Sequence, residues 1–187
     1  ISLWGTASTF YPRLNPGSVD VEFCIATLNH PITGDPEVVN GSPLVTIGTN
    51  GSNFGSQDTD IQYAGYMNFI IKDIGSGLLG YSPLAGNIAA GSAVVMNTTC
   101  YGTGAGCAGI TPQAPYNLGR TVTHELGHFY NLDHTFIEDG GTSCEPADGD
   151  GLADTPKVAG SSYSCPTDGS VAGCDRGENA LTMNYMD

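Results

Sequence analysis

One stretch limits what this chain can fold into more than any other: HELGHFYNLDHTF, His124 to Phe136. His124 and His128 stand four residues apart. On a helix that spacing stacks both imidazoles on one face, close enough to share a metal ion. A helix is therefore required here, with one face for a site and another for a core. Glu125 directly follows the first histidine. Its side chain leaves the helix beside the metal, where it can take a proton from an activated water. A third histidine, His134, lies six residues beyond His128, so the helix must stop between them. Asn131 stands where the break is needed, and Asn tolerates the left-handed backbone of such a turn.

An HExxH pattern alone recurs by chance in unrelated helices, whereas a correctly spaced Asn and a third His make it far more specific. Three neutral histidines leave the fourth position of a tetrahedral zinc open, which is the arrangement of catalytic rather than structural zinc. Of the 4 histidines, only His30 lies elsewhere. The remainder of the helix fits this reading. Leu118, Val122, Leu126 and Phe129 form an apolar stripe over a predicted helix 118–132, with Asn117 placed to cap it.

At these residues the sequence resembles the metzincin zinc proteases, and among them the pappalysin family (ulilysin-like enzymes). The likeness rests on HELGHFYNLDH with Asn131 in place of the commoner Gly, the following HTF, the ADTP of 153–156 and the terminal NYMD. It runs from about Val19 to the last residue. The resemblance implies zinc on His124, His128 and His134, and Glu125 as general base. It also implies Met186 as an apolar floor beneath the metal. Substrates would be proteins or peptides. In metzincins the strand before the active-site helix is a sheet edge to which extended substrate adds. That makes Val94, Val95, Met96 and Asn97 candidates for substrate binding, beside the alternative of an ordinary packed strand.

The implied fold is α+β: a metzincin-like catalytic domain with a mixed twisted β-sheet packed on the active-site helix. An irregular C-terminal subdomain stabilised by calcium and disulfides would follow. An upper part of about 1–131 and a lower part of about 132–187 make a single domain of residues 1–187. The family usually has a strand and a long helix before Val19, and a tyrosine and a helix after the turn methionine. Residues 1–18 read as a loop, so the expectation is a fragment lacking N- and C-terminal segments.

Composition bounds the partners. Five basic residues against 19 acidic ones give a net charge of −14. No basic patch for nucleic acid or an anionic membrane can be assembled from so few. No apolar run approaches the ~18 residues of a membrane helix. The acidic segment CEPADGDGLADTP holds Glu145, Asp148, Asp150 and Asp154, with Thr155 beside them. Hard oxygen ligands at such spacing suit calcium, and the family commonly has calcium in this region; a solvated acidic loop is the alternative.

The 6 cysteines show no zinc-binding CxxC pair and, with the acidic, lysine-poor composition, point to an oxidising compartment; together with the family resemblance they imply a secreted, extracellular protein. Many pairings are open. The reading taken here is Cys100–Cys107 as a small loop closure and Cys144–Cys174 as a staple under the active site, with Cys24 a buried free thiol. Sequons begin at Asn40, Asn50 and Asn97.

Strands are predicted at 19–26 from strict alternation, at 44–49, at 66–74 as a central strand, and at 93–97. The segment GLLGYSPLAG between the last two reads as a loop with buried anchors. The functional expectation is a zinc-dependent endopeptidase. Two other classes stay open: a non-catalytic, calcium-stabilised binding module with a vestigial zinc site, and a zinc hydrolase acting on something other than peptides. Glu125 counts against the first, since a structural site needs no base.

Overall fold

In a computed structural model, residues 21–26, 58–103, 111–136, 144, 149–164, 166–167 and 169–187 are described. They fall into two compact units, with the break between Asn131 and Leu132.

The unit ending at Asn131 holds the regular structure. Three strands, β1 (Asn68–Lys72), β2 (Gly80–Tyr81) and β3 (Ala93–Asn97), form one sheet in the order β1-β3-β2. β1 and β3 run parallel, from Asn68↔Ala93 to Lys72↔Asn97. β2 returns antiparallel on the other side, with Gly80↔Met96 and Tyr81↔Val95. The only α-helix among the described residues, α1, spans Arg120–Phe129.

The apolar run AVVMN gives β3 two hydrophobic faces, as a strand covered on both sides requires. Val94, Val95 and Met96 have no exposed surface. Val94 and Met96 pack with Phe129 of α1, and Met67, Val122 and Leu126 close around them. One face of α1 is thus held against the sheet by residues of the predicted stripe. Leu118 does not join it; it lies before the helix and is 59% exposed.

Several expectations change here. β3 is the middle strand, not an edge, because both of its sides are paired. Among the described residues β1 pairs on one side only, and its Phe69 and Ile71 are 39% and 46% exposed. The predicted loop GLLGYSPLAG contains β2. Residues 21–26 form no strand, and Val21, Phe23 and Ile25 are exposed. Alternation marks a face that could be buried, but a strand also needs a hydrogen-bonded partner. The predicted strand at 44–49 lies outside the described residues.

The end of the sheet is tied by a polar cluster. Lys72 Nζ donates to Asp58 Oδ1 at 2.8 Å, and the Tyr81 hydroxyl donates to Asp58 Oδ2. Asn97 stands at the C-terminal end of β3, where it pairs with Lys72. Its Nδ2 donates to the carbonyls of Gly75 and Leu78 at 3.0 Å each, which holds the turn leading into β2. Buried and committed in this way, Asn97 has no side-chain atom free for a glycan or a substrate.

The unit of Leu132–Asp187 is made of turns and isolated bridges, such as Phe136↔Val158 and Ala172↔Asn179. Cys144 and Cys174 form a disulfide across it. The other predicted pair differs. Cys100 is a free thiol, fully buried beside the Thr99 hydroxyl, so the closure to Cys107 is not made there; Cys107 lies outside the described residues. Cys24 is free but exposed rather than buried, because residues 21–26 join no sheet. No helix among the described residues is long and apolar enough to cross a membrane.

Candidate active site

α1 begins without a side-chain cap. Gly119, at φ 72°, occupies the cap position, and Asn117 stands too early to serve. The helix ends at Phe129, and Asn131 then adopts φ 69°. This left-handed residue reverses the chain direction, as the turn between the second and third histidines requires.

The ligand atoms of His124, His128 and His134 all lie within 4.8 Å of one another. Within the helix, His124 Nε2 and His128 Nε2 approach to 3.2 Å, their rings edge to face. The His134 ring stacks on Phe136 with centroids 4.7 Å apart and planes 12° from parallel. Such stacking limits the rotation of a ligand that the helix no longer holds. The Thr135 N–H, next in the chain, donates to the Met186 carbonyl at 3.0 Å. Met186 is itself 4% exposed and has its own N–H on Asn184 Oδ1. The turn at 184–186 therefore fixes the backbone beside His134.

Three borderline-soft imidazole nitrogens, converging without a carboxylate among them, form a donor set that fits zinc. A hard cation such as calcium would select oxygen instead. Glu125 is on the same helix and 5% exposed. Burial pushes its carboxyl up to about 7, since desolvation disfavours the charged form. A divalent cation on the neighbouring histidines acts in the opposite sense.

The last turn of the helix is clamped from the loop after β2. Ala85 N–H donates to the His128 carbonyl at 3.0 Å, and Gly86 N–H to the Phe129 carbonyl at 2.9 Å. These are two of the carbonyls a helix C-terminus leaves without internal partners. Gly86 also lies flat against the Phe129 ring; a Cβ there would come within 2.3 Å of it. The sequence reading missed this clamp. Its signal is the small residues of PLAG, which could have marked a close approach of two segments.

The acidic segment is described only in part. The Thr155 hydroxyl donates to the Asp150 carboxylate, 2.6 Å from Oδ1 and 2.8 Å from Oδ2, and Leu152 N–H adds a third bond at 3.0 Å. Asp154 is exposed, while Glu145 and Asp148 lie outside the described residues. Of the predicted substrate residues, Val94, Val95, Met96 and Asn97 are buried in the middle strand and present no free edge.

The sequence profile of the pregnancy-associated plasma protein-A peptidase family matches residues 56–187. Among curated proteins, extracellular metalloprotease 1 of Coccidioides posadasii is 38% identical over 125 residues, which is 67% of this chain and 42% of that protein. An extracellular metalloprotease of Arthroderma benhamiae is 36% identical over 127 residues, 67% of this chain and 43% of its own length. The chain thus spans less than half the length of these relatives. Among solved structures, Tannerella forsythia mature mirolysin in complex with a cleaved peptide matches with a TM-score of 0.54 and 32% identity. That match covers 65% of this chain and 44% of mirolysin. The small mixed sheet and its helix are therefore similar to the mirolysin catalytic domain. With the helix, the three histidines and a profile match over most of its length, the chain belongs to the pregnancy-associated plasma protein-A family of metalloproteases, the pappalysins.

Proposed function

We propose that this chain is the catalytic part of a secreted zinc-dependent endopeptidase that hydrolyses peptide bonds. The observation that carries the reading is the convergence of three imidazoles, with a buried carboxylate on the helix that carries two of them. His124, His128 and His134 would hold the zinc. When bound, zinc supplies Lewis acidity toward a water and toward the scissile carbonyl. Glu125 accepts the water's proton on a carboxylate oxygen and delivers it to the leaving amine, so one group serves as base and then as acid. Thr135 and Phe136 keep His134 in place, and the Ala85–Gly86 clamp does the same for the turn carrying His128.

Peptide as the substrate class is supported by the cleaved peptide held by mirolysin. Among the described residues β2 ends the sheet on its second side, so strand addition is assigned to Gly80–Tyr81 rather than to β3. Secretion is supported by the relatives named extracellular and by the Cys144–Cys174 disulfide. Calcium at the acidic segment is supported by Asp150, whose carboxylate is already set beside the Thr155 hydroxyl.

The test is cleavage of a mixed peptide library, mapped by mass spectrometry, with zinc content measured alongside. Glu125→Gln should retain zinc and lose cleavage by at least about 10²-fold, the range of a general base. Retained cleavage in that variant removes the assigned role. Zinc-loaded wild-type protein that cuts nothing would favour a binding module instead.

A further inference from the structure

Gly80 is a glycine that conformational freedom does not explain. Its φ lies outside the left-handed region, unlike that of Gly75 or Gly77 just before it. Space explains it. A Cβ on Gly80 would lie 3.0 Å from Glu125 Cγ and 3.1 Å from Glu125 Oε1, with the Val95 carbonyl oxygen also at 3.0 Å. Those separations are tighter than carbon atoms keep at ease, near 3.5–4.0 Å. Gly80 is buried and pairs with Met96 of β3, so the strand has its own reason to stay where it is. Glu125 is 5% exposed and rides on a helix whose far end is clamped to Ala85 and Gly86. Neither backbone has room to withdraw.

We propose that Gly80 is a positioning residue for the general base: the missing side chain on β2 leaves the slot in which the Glu125 carboxylate rests. This rests on the reading of Glu125 as the base. Any larger residue at position 80 turns the carboxylate out of its slot while the histidines keep their places. Catalysis is sensitive to displacements of that size, because a proton acceptor must stay within hydrogen-bond reach of its proton.

The experiment combines Gly80→Ala with a second background, Glu125→Ala, which removes both Cγ and Oε1. In the wild-type background Gly80→Ala should lower kcat at least tenfold, with KM within about threefold and zinc content unchanged. It should also lower the melting temperature of the metal-free protein. In the Glu125→Ala background the same substitution should leave the melting temperature where it was, because the atoms it meets are gone. An equal loss of melting temperature in both backgrounds would place the conflict at the Val95 carbonyl and overturn the proposal, even where Gly80→Ala alone fails to fold. Wild-type kcat in Gly80→Ala would also overturn it. The underlying reading fails separately, through cleavage by Glu125→Gln.

Discussion

Gly86→Ala puts the packing of the active-site helix to a quantitative test. The added Cβ meets the Phe129 ring at 2.3 Å, more than an ångström inside ordinary contact. The ring cannot swing aside into a void, since it is 4% exposed and walled by Val94 and Met96. The helix end cannot retreat without stretching the bonds from Ala85 and Gly86 to the His128 and Phe129 carbonyls. Overpacking of this kind costs about 1–3 kcal/mol. Loss of one of those hydrogen bonds adds about 0.5–1.5 kcal/mol. The sum is about 1.5–4.5 kcal/mol. For a chain of this size each kcal/mol moves the midpoint by about 2–4 °C, so melting should fall by about 3–18 °C. Calorimetry of the metal-free protein measures this. Phe129→Leu, which withdraws the ring edge, should absorb much of the penalty when combined with Gly86→Ala. A Gly86→Ala protein that melts within about 2 °C of wild type would show that the loop yields and that no clamp exists.

Calcium should raise the melting temperature at fixed zinc, by about 2.7 kcal/mol of added stability at a hundredfold excess over its dissociation constant; Asp150→Asn should remove the effect, and a flat response over a wide calcium range sinks the site. The polar cluster at the sheet end gives an alkaline signature. The hydrogen bond to Asp58 holds Lys72 above its ordinary 10.5, and burial holds Tyr81 above its ordinary 10.0. Both groups bind their protons more tightly folded than unfolded, so their contribution is complete below about pH 10 and is lost as pH rises through the folded values. Thermal melts between about pH 9 and 11.5 should show that decline, and the Lys72→Gln, Tyr81→Phe double variant should flatten it. An unchanged slope in the variant would refute the assignment.

The helix and its histidines were legible because both signals are local. The spacing of His124 and His128 specifies a helical face, and the residue types specify the chemistry. Asn131 was legible for the same reason, since a single residue that tolerates φ > 0 ends the helix. β3 was legible as a strand from AVVMN, but its position in the sheet was not. Strand order is decided by which distant segment pairs with which, and nothing in 93–97 states that β1 takes one side and β2 the other. Tyr66–Ile74 therefore read as central, although Phe69 and Ile71 are exposed on a strand that, among the described residues, pairs on one side only. The glycines of GLLGYSPLAG could be read only as loop-formers, because the partners that require them to be small, Glu125 and Phe129, lie some forty residues further along. Asn117 lost to Gly119 as the helix start because capping preference is weak beside the bridge that pairs Thr103 with Leu118 and delays the first turn.

The bond between Thr135 and Met186 also has an entropic side. Their side-chain contact joins positions 51 residues apart. The Cys144–Cys174 disulfide shortens the flexible path between them to about 21 residues, and closing it costs about 2.7 kcal/mol on a (3/2)RT ln n scale, whereas the first two histidines arrive together with one helical turn. Two ligands are thus set by local structure, and the third waits on a long-range closure. Whatever ion draws His134 toward its partners contributes to that closure, and whatever docks the turn at 184–186 tightens the ion's hold in equal measure. Ligand affinity and the ordering of the distant turn are, in this chain, two readings of one equilibrium.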